Sequence, residues 1–517
     1  MVSFWNILAL ACLCCVADVA LSKNVVCYFS NWAQYRPGSG MMFAKNINPY
    51  YCSHVIFAFA QLSGNTIVPY EYNDDTSDGQ WQMLRALKKT NPSLKTLLAV
   101  GGYSHGPIRF YSMASTSANR LQFINSAISL LRYFGFDGID LDWEYPGDIS
   151  ASDKVYFTAL IQEMRDAFEK EATLSGQPRL LMSAALPAGI SKAAYGYNVT
   201  ALDAYLDILN IMSYDYHGVW ETYTGLASPM YSFDGLNVFD SVNWYVNNGA
   251  RASKIHVGLS FFARTWTLSN PSNNYLGAYA IGGGTNGTYT RTAGILSYYE
   301  VCSLLRSGYT VQTDPIGQVK YAYMDNQWVT YEDRETLDVK LQWILSNNFG
   351  GAMVWALDMD DFTGQFCYQN SWPLMSLVSS KVLYAPDTPT ASTTASLSTA
   401  STTTKPTPAP TSTSTSTSTT TKPTATTATP APTPSTTTTK LASGSSTTVG
   451  GTGSSPQPKT FTCTVPNGFF ADPASCNSYY VCQKYVPMLI RCPTDTLFNP
   501  QSLLCENKYT TRFICLL

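Results

Sequence analysis

Eight short apolar runs rich in β-branched and aromatic residues recur along the first two thirds of this chain, with helical patterns between them. They are Val25–Phe29, His54–Ala60, Lys95–Val100, Gly138–Asp142, Leu180–Ala185, Ile208–Met212, Ile255–Leu259 and Gly351–Val354. The clearest helices between them are Ser117–Phe134, where Ser117 can cap the start, Ser152–Glu171 and Asp333–Asn347. In the second of these Phe157, Leu160, Ile161, Met164 and Phe168 form one stripe, and in the third Leu337, Leu341, Ile344 and Leu345 lie together. Strands alternating with helices predict an α/β chain, an eightfold (β/α)8 or TIM barrel, with a doubly wound sheet as the weaker alternative. Barrel enzymes carry their chemistry at the C-terminal ends of the strands. Asp142 and Glu144 close the fourth strand, the Tyr214-Asp215-Tyr216 run closes the sixth and Trp355 closes the eighth.

The fourth run is unusual. Residues Phe136 to Tyr145 read Phe-Asp-Gly-Ile-Asp-Leu-Asp-Trp-Glu-Tyr. Extended, this stretch puts Asp140, Asp142 and Glu144 on one face and Ile139, Leu141 and Trp143 on the other. A helix would scatter the acids, and Gly138 and Pro146 oppose one. Three acids on one face of an otherwise apolar strand point to metal binding or proton chemistry, because burying them together is costly. A solvated edge strand is the competing reading, and the apolar opposite face argues against it. Strict alternation sets Asp137 on the other face, where it reads as structural support.

With 517 residues the chain exceeds one domain, and its formal charge of −3 provides no basic stripe for nucleic acid. Aromatic residues make up 13% of it, which suits stacking against sugar rings. Residues Phe4 to Ala20 resemble a secretory leader, though no Lys or Arg precedes them, and no later run is long enough to span a bilayer. A secreted, extracellular protein with no membrane segment is expected. Of 13 cysteines, Cys12, Cys14 and Cys15 would leave with the leader. The others are Cys27, Cys52, Cys302 and Cys367, then Cys463, Cys476, Cys482, Cys492, Cys505 and Cys515. An even number in an exported chain predicts disulfides, in pairings that spacing alone leaves open. Cys27, Cys52, Cys302 and Cys367 lack the close Cys-x-x-Cys spacing of a zinc site and the four histidines are scattered, so no metal and no cofactor is expected.

The stretch between the seventh and eighth strands is too long for a single helix. It predicts a small α+β insertion over about 260–335, with a hairpin at Lys320–Tyr331 turning on Asp325-Asn326. The predicted organisation is a leader at 1–22, the barrel at 23–384, a linker at 385–459 and a small module at 460–517. The linker is Thr, Ser, Pro and Ala, as in an O-glycosylated stalk that cannot offset the entropy of folding. Asn198 and Asn286 begin sequons for N-glycosylation. The last module is too small to bury much core, so three disulfides would staple it.

Asp137, Asp140, Asp142 and Glu144 match the Asp-x-x-Asp-x-Asp-x-Glu signature of the glycoside hydrolase family 18 chitinases, and Trp143, Tyr145, Pro146 and Gly147 strengthen the resemblance. The C-terminal Cys spacing, with Asn477-Ser478-Tyr479-Tyr480-Val481-Cys482, Cys492-Pro493 and Leu497-Phe498-Asn499, resembles the family 14 (peritrophin-A) chitin-binding module. These resemblances imply a monomeric endo-acting chitinase whose partners are chitin and chito-oligosaccharides. They imply pairs 27–52, 302–367, 463–482, 476–515 and 492–505. Glu144 would protonate the glycosidic oxygen and later activate water, while the substrate's own acetamide attacks the anomeric carbon. Asp142 would orient that acetamide and share a proton with Asp140; Tyr214 would donate its hydroxyl to the acetamide, and Asp215 would contact the distorted sugar. The resemblance nominates Tyr28, Trp32, Phe57, Gly102, Tyr103, Tyr145, Met212, Tyr216, Trp220, Arg264 and Trp355 as cleft residues. Arg264 reads equally well as a surface ion-pair partner. Tyr103, Tyr72 and the Phe-Phe-Ala before Arg264 depart from the usual family residues. In the small module Tyr485, Phe498 or Tyr509 would stack on sugar. The competing functions are a chitin-binding lectin without turnover and an endo-β-N-acetylglucosaminidase acting on N-glycans.

Overall fold

The computed structural model describes residues 23–384, 461–463, 467–483, 486–492, 496–499 and 504–507, which fall into two compact units. The expected leader and Ser/Thr/Pro linker lie outside the described residues. The first unit is a closed barrel of eight parallel strands: β1 Asn24–Ser30, β2 His54–Ser63, β3 Lys95–Gly101, β4 Gly138–Asp142, β5 Leu181–Pro187, β6 Ile208–Met212, β7 Ile255–Ser260 and β8 Gly351–Trp355. Each pairs with its neighbour in sequence, and β1 pairs with both β2 and β8 to close the ring. Buried between barrel interior and helix layer, parallel strands must be apolar on both faces, which is why the runs stand out in the sequence. In β4 all five residues are buried, and Ile139 and Leu141 each contribute about 1.5–3 kcal/mol by leaving water.

The helices follow their apolar stripes. Ser117–Phe134 starts one residue earlier than a Ser117 cap would require, because the Thr116 hydroxyl accepts from the Asn119 N–H instead. Asp333 caps Arg334–Ser346, accepting from the N–H groups of Glu335 and Thr336. Between β7 and β8 the chain builds a separate antiparallel sheet around Phe262–Leu268, with the Val319–Met324/Gln327–Tyr331 hairpin turning at Asp325 and Asn326. Helix Tyr298–Arg306 covers part of it, and the Cys302–Cys367 disulfide ties that helix to the segment after β8. Cys27–Cys52 joins β1 to the entry of β2.

The closing seam is tight. Gly351 has φ +153°, and a Cβ there would sit 1.8 Å from the Asn24 carbonyl oxygen across the β1–β8 junction. Gly351→Ala is therefore expected to cost about 3 kcal/mol in denaturant unfolding. Gly189→Ala, where the nearest atom to a new Cβ is 3.8 Å away, serves as the near-neutral control.

The second unit holds a three-stranded antiparallel sheet, Asn467–Ala471, Ser478–Gln483 and Val486–Arg491, and the hairpin Thr496–Asn499/Leu504–Asn507. Cys463 bonds Cys482, and Cys476 and Cys492 are also disulfide-bonded; Cys515 and the Cys505 side chain lie outside what is described. Phe498 is buried and stacked on Tyr479 at 4.4 Å, so it is a core ring of this module and not a sugar platform. Tyr485 and Tyr509 lie outside the described residues.

Candidate active site

Asp140 and Asp142 point into the barrel from β4. Asp140 is fully buried and accepts from Ser183 Oγ of β5 at 2.5 Å and from Tyr28 OH of β1 at 2.8 Å. Asn210 of β6 donates to the same Tyr28 oxygen at 3.2 Å. Side chains from β1, β5 and β6 thus converge on this one carboxylate of β4. Burial pushes its pKa up to about 6, against the pull of the Ser183 and Tyr28 hydrogen bonds. Asp142 has no such support: its Oδ1 is buried without a partner. Burial first, then the neighbouring Glu144 and Asp140 carboxylates, hold its pKa well above the usual range.

Glu144 follows the strand end and is partly open. Burial pushes its pKa up to about 7, while the Tyr145 hydroxyl and the Tyr103 backbone N–H bond the carboxylate and oppose that rise. The Tyr103 contact is a backbone one, so the Tyr in place of the usual family residue leaves it intact. The Gly102 N–H donates to the Asp142 carbonyl at 2.8 Å, fixing the β3 loop against the end of β4. Tyr214 is buried beside the three acids, which push its hydroxyl pKa up after burial and Asp215 have done so. Asp215 is gripped by a forked pair of bonds from Arg264 Nε and Nη2, both 2.7 Å. Arg264 is thus an ion-pair partner inside the cleft. Its guanidinium also lies 5.2 Å from the Trp220 ring.

The floor is aromatic. Trp32 and Trp355 line two adjoining depressions of about 460 and 490 Å³. Glu144, Tyr103 and Gly102 border the first, and Asp215 and Arg264 the second. Tyr28 packs against Trp355 at 5.3 Å, and Met212 is half-buried at the end of β6. Two nominated residues lie elsewhere. Phe57 is fully buried against Phe29 and the helix residue Trp81; Phe59 instead stacks on Trp32 at 6.0 Å and on Trp355 at 5.9 Å. The register of β2 against β3 slips between Phe57 and Ala60, which breaks the alternation that sequence reasoning assumes. Tyr216 is also buried, with its hydroxyl beside Ser241 and not in the cleft. That slip hides Phe59 from a period-two reading, and Ser183 and Asn210 look like ordinary polar residues of a buried strand until the barrel closes around them.

Asp137 sits at the opposite end of β4. It accepts from the Thr96 N–H at 2.8 Å and pairs with Lys88 Nζ at 2.6 Å, which explains a structural acid in the motif. The sequon residues Asn198 and Asn286 are both exposed, the first capping helix Val199–Tyr205. Among the described residues no helix is long and apolar enough to cross a membrane.

Residues 24–360 match Glycosyl hydrolases family 18, and residues 463–513 match the Chitin binding Peritrophin-A domain. Chitotriosidase-1 of Mus musculus is 41% identical over 377 residues, covering 71% of this chain and 80% of that protein. The immunomodulatory active chitinase TsES1 of Trichuris suis superposes with a TM-score of 0.68 at 40% identity, covering 70% of this chain and 100% of that one. Human YKL-39, a pseudo-chitinase with retained chitooligosaccharide binding properties, superposes at 0.67 with 37% identity over 70% of this chain and 99% of its own.

Proposed function

The chain belongs to glycosyl hydrolases family 18 and carries a peritrophin-A chitin-binding domain; from that premise we propose that it is a secreted, endo-acting chitinase that retains anomeric configuration by substrate assistance. The observation that carries this reading is the Glu144 carboxyl, held neutral up to about pH 7 at the rim of the aromatic cleft. In the scheme, Glu144 gives its proton to the glycosidic oxygen as that bond breaks. The acetamide carbonyl oxygen of the sugar attacks the anomeric carbon and forms an oxazolinium ring. Water then opens the ring, giving its proton back to Glu144. Asp142 accepts the acetamide N–H and balances the positive charge of the ring.

Asp142 and Asp140 share the proton that keeps this pair from carrying two charges in a closed space. Tyr214 donates to the acetamide oxygen, and Asp215, forked by Arg264, contacts the distorted sugar. Trp355 and Trp32 stack beneath it. The terminal module would keep the enzyme on insoluble polymer, and the leader-like N-terminus and disulfides support export.

The kinship with YKL-39 favours a second reading, chitin binding without turnover. Hydrolysis of an N-acetylglucosamine oligomer followed by NMR separates the two. The chitinase reading expects an initial β-anomer and loss of turnover on the N-deacetylated oligomer. Binding with no product would establish the lectin, and an initial α-anomer would exclude the substrate-assisted route.

A further inference from the structure

The turn that carries Trp220 is held by a histidine with no part in the scheme above. His217 Nδ1 lies 3.0 Å from Glu221 Oε2, and its Nε2 lies 3.3 Å from Asp234 Oδ2 on the following loop. The ring is 18% exposed. A neutral imidazole has one N–H, so carboxylate acceptors at both nitrogens require the imidazolium. These two carboxylates are the charged groups facing the ring among the described residues, and its other side packs at Gly225. Burial pulls the imidazole pKa down, but the two acids outweigh it and leave the value raised from 6.5.

The same contact shapes the turn. The Gly218 N–H donates to Glu221 Oε2 at 3.3 Å, so one carboxylate binds both ends of the loop. The indole of Trp220 folds back onto Gly218, where a Cβ would lie 2.3 Å from the ring. Beyond it, the Thr222 carbonyl accepts from the Ala280 N–H at 2.7 Å, which pins the exit of the turn to the insertion. Trp220 is 58% exposed, and its ring lies against Gly218 of this turn and beside the Arg264 guanidinium.

We propose that His217 is a positioning residue: by bridging Glu221 to Asp234 it fixes the Trp220 turn and so sets how tightly saccharide is held at the Arg264 end of the cleft. This rests on the reading of the cleft as a saccharide site. The test uses full-length Glu144→Gln protein, alone and with Asp234→Asn, between about pH 6 and about pH 9, which spans imidazole titration. The indole N–H signal of Trp220, assigned by Trp220→Phe, and the Kd for an N-acetylglucosamine oligomer are both followed. The Trp220 signal is expected to track His217 deprotonation in the parent and to stay flat in Asp234→Asn. Over the same interval Kd should rise roughly three- to tenfold in the parent alone, the scale of a loosened aromatic contact. An indole indifferent to His217, or one that moves with no change in Kd, overturns the proposal. If the oligomer binds at no pH, the saccharide reading fails, and the indole titration alone then decides whether His217 holds the turn.

Discussion

Glu144→Gln should lower kcat on chito-oligosaccharides by roughly 10²–10⁴-fold, the range for loss of a general acid–base, while the oligomer still binds. The amide keeps the shape and one oxygen to accept from Tyr145 or the Tyr103 N–H, but its N–H protons are far too weakly acidic to transfer. With the carboxyl titrating at about 7, wild-type kcat/KM should fall about tenfold per pH unit on the alkaline side of that value. Tyr145→Phe removes a bond that favours the charged form, so the alkaline limb should move to higher pH. A limb that stays in place would mean that another group titrates.

Stability gives an independent reading of the same carboxyl. A group whose pKa rises from 4.5 to about 7 on folding keeps a proton that the unfolded chain releases. Its favourable contribution is complete below the lower value and is lost as pH climbs toward the upper one. Glu144→Gln should therefore be more stable than wild type above pH 7 and not less, which separates loss of chemistry from loss of fold. A variant that is less stable there would contradict the burial argument.

The second large effect lies behind the site. Lys340 is fully buried and pairs with Glu332, and it donates to the Ser228 carbonyl at 2.5 Å and to Ser228 Oγ at 2.8 Å. Thr336 Oγ1 donates to the other Glu332 oxygen at 2.5 Å. Lys340→Met removes the cation and leaves a carboxylate in the interior, which should cost about 3–5 kcal/mol in unfolding free energy. Adding Glu332→Leu should recover most of that loss, because the double change leaves no unpaired charge. Ser228 Oγ also donates to the Ser213 carbonyl at 2.8 Å, next to Tyr214, so the single variant should perturb the end of β6 as well. A single variant within about 1 kcal/mol of wild type would show that the pair carries little.

Much of this was readable from the sequence, for a physical reason. Strands buried on two faces cannot hide their composition, so the eight runs fall within a few residues of β1 to β8. The signature acids were legible because few structures tolerate three carboxylates on one apolar strand. What could not be read depends on contacts between distant segments. Ser183 and Asn210 look like ordinary polar residues until β5 and β6 stand beside β4. Phe57 and Phe59 are equivalent under a period of two, and only the register slip in β2 chooses between them. Thr66–Pro69, an antiparallel strand added to β2, is four residues long and leaves no periodic trace.

The seam between β1 and β8 also sets the order of events while the chain is being made. β1 can pair with β2 soon after it emerges, yet its other edge has no partner until Gly351, roughly 300 residues later. At about 5–20 residues per second, that edge waits for tens of seconds. For that interval a row of apolar side chains and unpaired backbone groups stands open to any passing strand. The nascent chain is thus open to aggregation at the first strand of its barrel, and it stays so until nearly the whole barrel has been translated.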